Sequence, residues 1–139
     1  MIGDDAGVAG FVTISAWNAG AEASRLHAPE TRSTMERDFA EDLRFTNMSF
    51  TSMAAEIVAH AKAWDWTKNT AEMVGHPVLV IDADDGLAPT GDAVVATVTA
   101  AGGPVPTRLR FATDHSYNDH RIALASAILV WLQAHFPQP

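Results

Sequence analysis

The chain has 139 residues, a length typical of one domain, and its 47% hydrophobic and 19% charged residues are the balance of a globular protein. A formal net charge of −8 argues against nucleic acid as a partner, because phosphate contacts need clustered Lys and Arg and the nine basic residues here are scattered. The lack of cysteine excludes a disulfide framework, a thiolate zinc site and a cysteine nucleophile, and it fits a reducing compartment such as the cytoplasm.

Membrane association is not expected from the sequence. The longest apolar run, Ile122 to Leu132, is too short to span a bilayer. No basic segment followed by an apolar one opens the chain, so a signal peptide is not expected either.

The first half of the sequence predicts one strand followed by two helices. The β-branched run from Val8 to Trp17 is flanked by Gly and Asp and predicts the strand. A helix is expected just after Ser33, which has the capping-box spacing to Glu36. The segment 50–66 predicts a second helix, with Ser52 as its N-cap.

The second half alternates strand and helix twice. The continuous apolar run from Pro77 to Ile81 is typical of a strand in a parallel sheet covered on both faces. A helix over 90–103 with Thr90 as its candidate N-cap, a strand over 106–115 and a helix from Arg121 to Phe136 follow. This alternation predicts an α/β fold, with a parallel sheet, right-handed crossovers and helices on both faces.

Polar side chains follow two of the predicted strands. Asp82, Asp84 and Asp85 come after one strand, and Asp114 and His115 come after the next. Ligand and catalytic groups gather beyond the carboxyl ends of such strands, and adjacent strands lie about 5 Å apart, so an acid and the histidine can meet. A carboxylate that binds one ring nitrogen fixes the tautomer and leaves the other nitrogen free to act as general base.

Two segments carry a resemblance to a known family. "PVLVIDADDGLAP" and "FATDHSYNDHRIALASAILVWL" resemble the last third of an α/β-hydrolase fold serine hydrolase. In that family the triad acid follows the penultimate strand, and the histidine follows the last strand and precedes the C-terminal helix. The resemblance implies that His115 is the catalytic histidine and that Asp85 is the acid, with Asp84 as the near alternative.

The resemblance extends to the start of the chain. "VAGFVTISAWNAG" is similar to the strand that follows the family's nucleophile helix, and residues from about 20 to 75 occupy the place of its helical cap insertion. On this basis the chain, 1–139, is a single domain that forms the C-terminal part of an α/β-hydrolase.

One element of the family is missing from the sequence. Its nucleophile sits in a G-x-S-x-G elbow, and no such motif occurs here. Ser15 is predicted inside a strand, Ser116 abuts the histidine, and Ser126 is predicted inside a helix. The resemblance therefore implies a serine hydrolase cleaving ester or peptide bonds whose serine lies outside this chain, and a chain that is inactive alone.

The expected partner is the N-terminal half of the hydrolase or a second copy of the chain, paired through an exposed edge strand, with a small molecule or peptide as substrate. The alternative is a non-catalytic half-fold, an interaction module that associates with itself or with an N-terminal partner. The sequence upstream of the chain discriminates between them, because a G-x-S-x-G after a strand favours the enzyme.

Other motifs are weaker. "GDDAG" fits an elbow with Asp5 as nucleophile, but only two residues precede it, so no strand can lead into it. "DADDG" lacks the glycine position and the closing Glu of a calcium loop. Asp119 and His120, which with Asp114 and His115 have the side chains for a metal site, are better explained as a solvated turn or helix cap, so neither a metal nor a cofactor is expected.

Overall fold

The computed structural model describes residues 7–137, apart from the side chains of 69–71. This part of the chain forms strands and α-helices in the predicted alternating order, with 3₁₀ helices at Ala23–His27 and Trp66–Met73. The elements in chain order are β1 (Phe11–Ile14), α1 (Ala19–Glu22), α2 (Pro29–Asp38), α3 (Ala40–Leu43), α4 (Phe50–Trp64), β2 (Val78–Asp82), α5 (Ala88–Ala100), β3 (Thr107–Arg110) and α6 (Arg121–His135). The predicted α/β class is confirmed.

The three strands form one parallel sheet in the order β1-β2-β3. Thr13 of β1 is paired with Val80 of β2, and Ile81 of β2 is paired with Leu109 of β3. All five residues of the central strand are buried, which explains why β2 is a continuous apolar run rather than an alternating one.

Helices cover both faces of β2, as predicted. On one face, Leu79 and Ile81 are in the same hydrophobic cluster as Trp131 of α6. On the other face, α5 approaches so closely that a Cβ atom on its Gly91 would lie 2.9 Å from Cγ1 of Val80. Since neighbouring residues of a strand point to opposite faces, the two helices lie on opposite sides of the sheet.

The described chain divides into two compact units, one formed by residues 18–66 and the other by residues 7–17 and 67–137. The 18–66 unit is helical and overlaps the predicted insertion at about 20–75. Within it, α1 packs tightly on the end of α4, because Gly20 lies directly against backbone atoms there. Asn18 joins the same two helices: its side-chain amide donates to Oδ1 of Asp65 at 2.8 Å, and both residues are buried.

Two predicted boundaries in the first half are wrong. The first strand covers only Phe11–Ile14 rather than Val8 to Trp17, because Ser15 adopts a φ of 41°, which ends the extended backbone. Helix α2 begins at Pro29 rather than after Ser33. Proline has no N–H to satisfy and its fixed φ suits the first turn of a helix, so it starts α2 a turn early.

Two predicted N-caps are also wrong. Helix α4 is capped by Ser49, whose hydroxyl accepts from the backbone N–H of Ser52, so Ser52 is the third helical residue of a capping box. Helix α5 begins at Ala88, with Leu87 as its N-cap rather than Thr90. Pro89 in the first turn again accounts for the earlier start.

Candidate active site

The predicted acid and histidine are in contact. Nδ1 of His115 lies 2.9 Å from Oδ2 of Asp85, so the predicted contact is confirmed, although its catalytic role stays a prediction. An ionised carboxylate can only accept, so Nδ1 carries the proton and Nε2 of the neutral ring keeps a free lone pair. The Asp85 side chain is 6% exposed and that of His115 is 63% exposed. A buried acid therefore orients an accessible base.

The alternative acid, Asp84, has a different partner. Its Oδ1 accepts from Nη2 of Arg110 at 2.8 Å, in an ion pair that is largely open to solvent. Of the two neighbouring acids, Asp85 contacts His115 and Asp84 contacts Arg110.

The turn that displays His115 is held by the residue before it. Oδ1 of Asp114 accepts the backbone N–H of Ser116 at 3.0 Å, which closes the tight turn typical of Asp at this position. The side-chain amide of Asn118 adds a contact to the other carboxylate oxygen. Asp114 and His115 therefore have different roles: Asp114 holds the turn closed, and the side chain of His115 projects from that turn.

Asp85 is surrounded by hydrogen-bond donors. The backbone N–H of Leu87 donates to Oδ1 at 3.0 Å, and Nδ1 of His115 donates to Oδ2 at 2.9 Å. Burial on its own raises the pKa of Asp85, but the hydrogen bonds from Leu87, His115 and Ser15 outweigh it, and the net pKa lies below the ordinary value of 3.8. The acid is therefore ionised at neutral pH.

The structure adds two residues that the sequence analysis missed. The hydroxyls of Ser15 and Tyr117 lie 2.8 Å apart, and both residues are buried beside Asp85. The sequence held a signal for each of these residues. Ser15 directly follows the apolar Ile14, as the acidic residues follow Ile81, and Tyr117 is the only tyrosine in the chain. All three strands thus contribute polar groups at their carboxyl ends.

None of the three serines considered in the sequence analysis lies in a G-x-S-x-G nucleophile elbow. Ser15 follows β1 at a bend, rather than lying inside a strand as predicted, and its hydroxyl is hydrogen-bonded to that of Tyr117. Ser116 and Ser126 are both exposed, the first in the turn after His115 and the second in α6. The alternative nucleophile, Asp5, lies outside the described residues.

Acidic residues near the site are already paired with other side chains. Oδ2 of the buried Asp82 lies 2.8 Å from Nη2 of Arg108. Asp119 lies beside His120 and accepts from the hydroxyl of Thr113, and these two contacts hold its pKa at about 2. Among the described residues, no three metal-ligating side chains lie close enough together to hold a metal ion.

The low pKa of Asp85 predicts a pH-dependent contribution to stability. A depressed pKa contributes stability above the unfolded value, and this contribution is lost as the pH falls through the folded-state pKa, which lies below 3.8. Asp85→Asn should therefore lower the free energy of unfolding by about 1–3 kcal/mol at pH 7, and this effect should shrink as the pH falls below 3.8. Urea denaturation across this range measures the difference. Asp84→Asn is the matched control, since an exposed ion pair contributes at most about 1 kcal/mol.

The arrangement consists of an exposed imidazole held by a buried carboxylate, and among the described residues no serine hydroxyl is hydrogen-bonded to that imidazole. No family model, curated protein or solved structure matches the chain significantly. What the site does chemically is therefore inferred from its residues and their geometry.

Proposed function

We propose that this chain is the C-terminal portion of a serine hydrolase that cleaves ester or peptide bonds. In this proposal it supplies the acid, Asp85, and the base, His115, of a Ser-His-Asp triad whose serine lies outside the chain. The observation that carries the proposal is the 2.9 Å contact between Nδ1 of His115 and the buried carboxylate of Asp85.

In the assembled enzyme His115 moves the proton. Nε2 takes it from the serine hydroxyl as the oxygen attacks the substrate carbonyl, and then gives it to the leaving group. Asp85 keeps the ring in the required tautomer and stabilises the imidazolium that forms. Backbone N–H groups of the other half would bind the oxyanion, because the oxyanion hole of this family is built beside the nucleophile.

The topology agrees with a partial α/β-hydrolase fold. The strands are parallel and adjacent in chain order, and a helical unit separates β1 from β2. The acid follows β2, and the histidine follows β3 and precedes a long C-terminal helix. These are the places that the resemblance assigns to the last three strands, the cap, the acid and the histidine of the family.

The two edge strands of the sheet, β1 and β3, differ in charge, and this difference favours pairing with a further strand at β1 and not at β3. No described strand pairs with the free edge of β1, where Val12 and Ile14 are exposed. By contrast β3 carries Arg108 and Arg110, and charged side chains on an edge strand discourage pairing. A further strand therefore has one apolar edge available to it, that of β1.

Helix α6 presents an apolar surface on the same side of the sheet. The register places Val12 beside Leu79, on the face that α6 covers. Ile122 and Val130 are 85% and 65% exposed, and no charged residue lies between the first and last residues of α6. An apolar surface of this kind marks an interaction site. A strand on β1 followed by a helix against α6 would cover both features, and the N-terminal half of a hydrolase supplies such a unit.

The proposal is tested by restoring the missing serine. The purified chain is treated with a fluorophosphonate probe, alone and after assembly with an N-terminal α/β-hydrolase half that carries a G-x-S-x-G elbow, and turnover of a p-nitrophenyl ester is followed in parallel. Labelling and turnover only in the assembled form support the proposal. Labelling of the chain alone would show that one of its own serines is the nucleophile.

The open β1 edge also favours a second candidate function, a non-catalytic module that associates with itself. Such a module would assemble through the same β1 edge as the proposed hydrolase portion, but no serine would become reactive on assembly.

Either function predicts that the isolated chain is not a monomer. We expect sedimentation velocity at micromolar concentration to find a dimer or a larger assembly, because the apolar β1 edge is available for pairing. Val12→Lys should shift the chain to monomer by placing a charge on that edge. Val105→Lys changes the same residue type at an exposed position before β3 and should leave the assembly intact. A stable wild-type monomer would contradict the prediction.

A further inference from the structure

Tyr117 and Ser15 form a hydrogen-bonded chain that ends on Asp85. The hydroxyl of Tyr117 lies 2.8 Å from that of Ser15. Ser15 in turn lies beside the Asp85 carboxylate, and its hydrogen bond is one of the causes that lower the pKa of Asp85. The three residues come from the loops that follow β1, β2 and β3. The contact between the two hydroxyls joins residues 102 positions apart in the sequence.

The donor and the acceptor in each of these hydrogen bonds follow from the negative charge of Asp85. An ionised carboxylate only accepts hydrogen bonds, so the single hydroxyl proton of Ser15 is donated to Asp85. Tyr117 must then donate to Oγ of Ser15. Burial and the charges of Asp85 and Asp82 raise the pKa of Tyr117, while the bond with Ser15 opposes this, and the net pKa lies above the ordinary value of 10. The phenol is therefore a protonated donor at neutral pH.

Both hydroxyl residues adopt backbone conformations that are rare outside glycine. Ser15 has a φ of 41° and Tyr117 a φ of 53°. Such conformations cost on the order of 1–3 kcal/mol each and persist only where the surrounding structure enforces them. The backbone N–H of Ser15 is anchored to the carbonyl of Ile81 at 2.8 Å, and the ring of Tyr117 packs edge-on against that of Phe111. The fold thus holds two strained residues with their hydroxyls facing each other beside the acid.

We propose that Ser15 and Tyr117 are positioning residues that lock the Asp85 carboxylate with Oδ2 toward Nδ1 of His115. The backbone N–H of Leu87 donates to Oδ1. Together with this bond, Ser15 and Tyr117 leave the Asp85 carboxylate a single orientation in which each surrounding donor has an acceptor. Because the Tyr117 ring belongs to the hydrophobic core under α6, the orientation of the acid is tied to the packing of that core. The consequence of this positioning for catalysis rests on the proposed hydrolase function, whereas the positioning of Asp85 itself does not.

The test is a carbon-13 NMR titration of the Asp85 carboxyl in the chain itself. Ser15→Ala and Ser15→Gly both remove the hydroxyl, and glycine accepts the positive φ without strain. Both should raise the pKa of Asp85 toward 3.8, because an ionised carboxylate that loses a donor is less stable. Tyr117→Phe keeps the ring in the core and should shift the pKa in the same direction by a smaller amount. Ser116→Ala removes an exposed hydroxyl next to His115 and should change nothing.

A second readout reports on the histidine. Nitrogen-15 shifts of the His115 ring in wild type should show the Nδ1–H tautomer, and the fraction of this tautomer should fall in Ser15→Gly and Tyr117→Phe. An unchanged pKa of Asp85 and an unchanged tautomer in folded Ser15 variants would overturn the proposal. Both readouts use the chain without a nucleophile, so failure of the esterase and labelling test would refute the hydrolase proposal without touching this one.

Discussion

His115→Ala should lower serine labelling and ester turnover of the assembled enzyme by roughly 10⁴- to 10⁶-fold. Among the described residues, the His115 imidazole is the base that contacts the Asp85 carboxylate, and in the proposed enzyme the serine hydroxyl would keep its proton without it. Because His115 is largely exposed at the tip of a turn, its removal leaves the core of the sheet unchanged. We therefore expect the loss to appear chiefly in the rate, with no effect on the assembly of the two halves. The free energy of unfolding should fall by no more than in Asp85→Asn, because Asp85 loses one of its donors.

His60→Ala is the matched control for this experiment. His60 is also an exposed histidine, on α4, where it stacks on the ring of Trp64. Its loss should leave labelling within about twofold of the wild type. Equal labelling of the His115→Ala variant and the wild type would exclude His115 as the base and, with it, the triad.

Gly20→Ala should destabilise the helical unit of residues 18–66 by about 3 kcal/mol or more. A Cβ atom at Gly20 would lie 2.1 Å from the backbone N of Asp65, 2.4 Å from the carbonyl carbon of Trp64 and 2.5 Å from the carbonyl oxygen of Ala61. These are backbone atoms at the end of α4, which cannot move aside as a flexible side chain can. The clash forces α1 away from α4 and separates the buried pair of Asn18 and Asp65.

Gly75→Ala provides the control, because no atom lies within 4 Å of the position of its Cβ. Its effect on the free energy of unfolding should stay within about 0.5 kcal/mol. Urea denaturation followed by far-UV circular dichroism compares the two variants. Equal stabilities would mean that α1 does not pack on α4 as closely as the structure has it.

The sequence was most informative where a local pattern determines the structure. The apolar run of β2 and the long apolar helix α6 are recognisable because burial on both faces, or along a stripe, selects the residue types directly. Helix starts were less predictable. Pro29 and Pro89 begin α2 and α5 earlier than the polar residues Ser33 and Thr90 suggest, because the fixed φ of proline outweighs a side-chain cap.

The residues of the candidate site were also predictable only in part. Asp85 and His115 were found because two parallel strands bring their carboxyl ends together, which is a general property of such sheets. The sequence left Asp84 and Asp85 undecided, because their difference lies in side-chain direction and in the competing partner Arg110. Ser15 was missed because the sequence places it inside the first predicted strand. Its position after Ile14 is a signal, but no local pattern marks its contact with Tyr117, 102 positions away.

The unequal edges of the sheet also limit how far self-assembly can proceed. If two copies pair across β1 about a two-fold axis, the result is a continuous six-stranded sheet whose outer strands are both β3. Those outer strands carry Arg108 and Arg110, so neither end offers an apolar edge to a third copy. The association is then isologous and closed, and it ends at two copies instead of growing into a fibre.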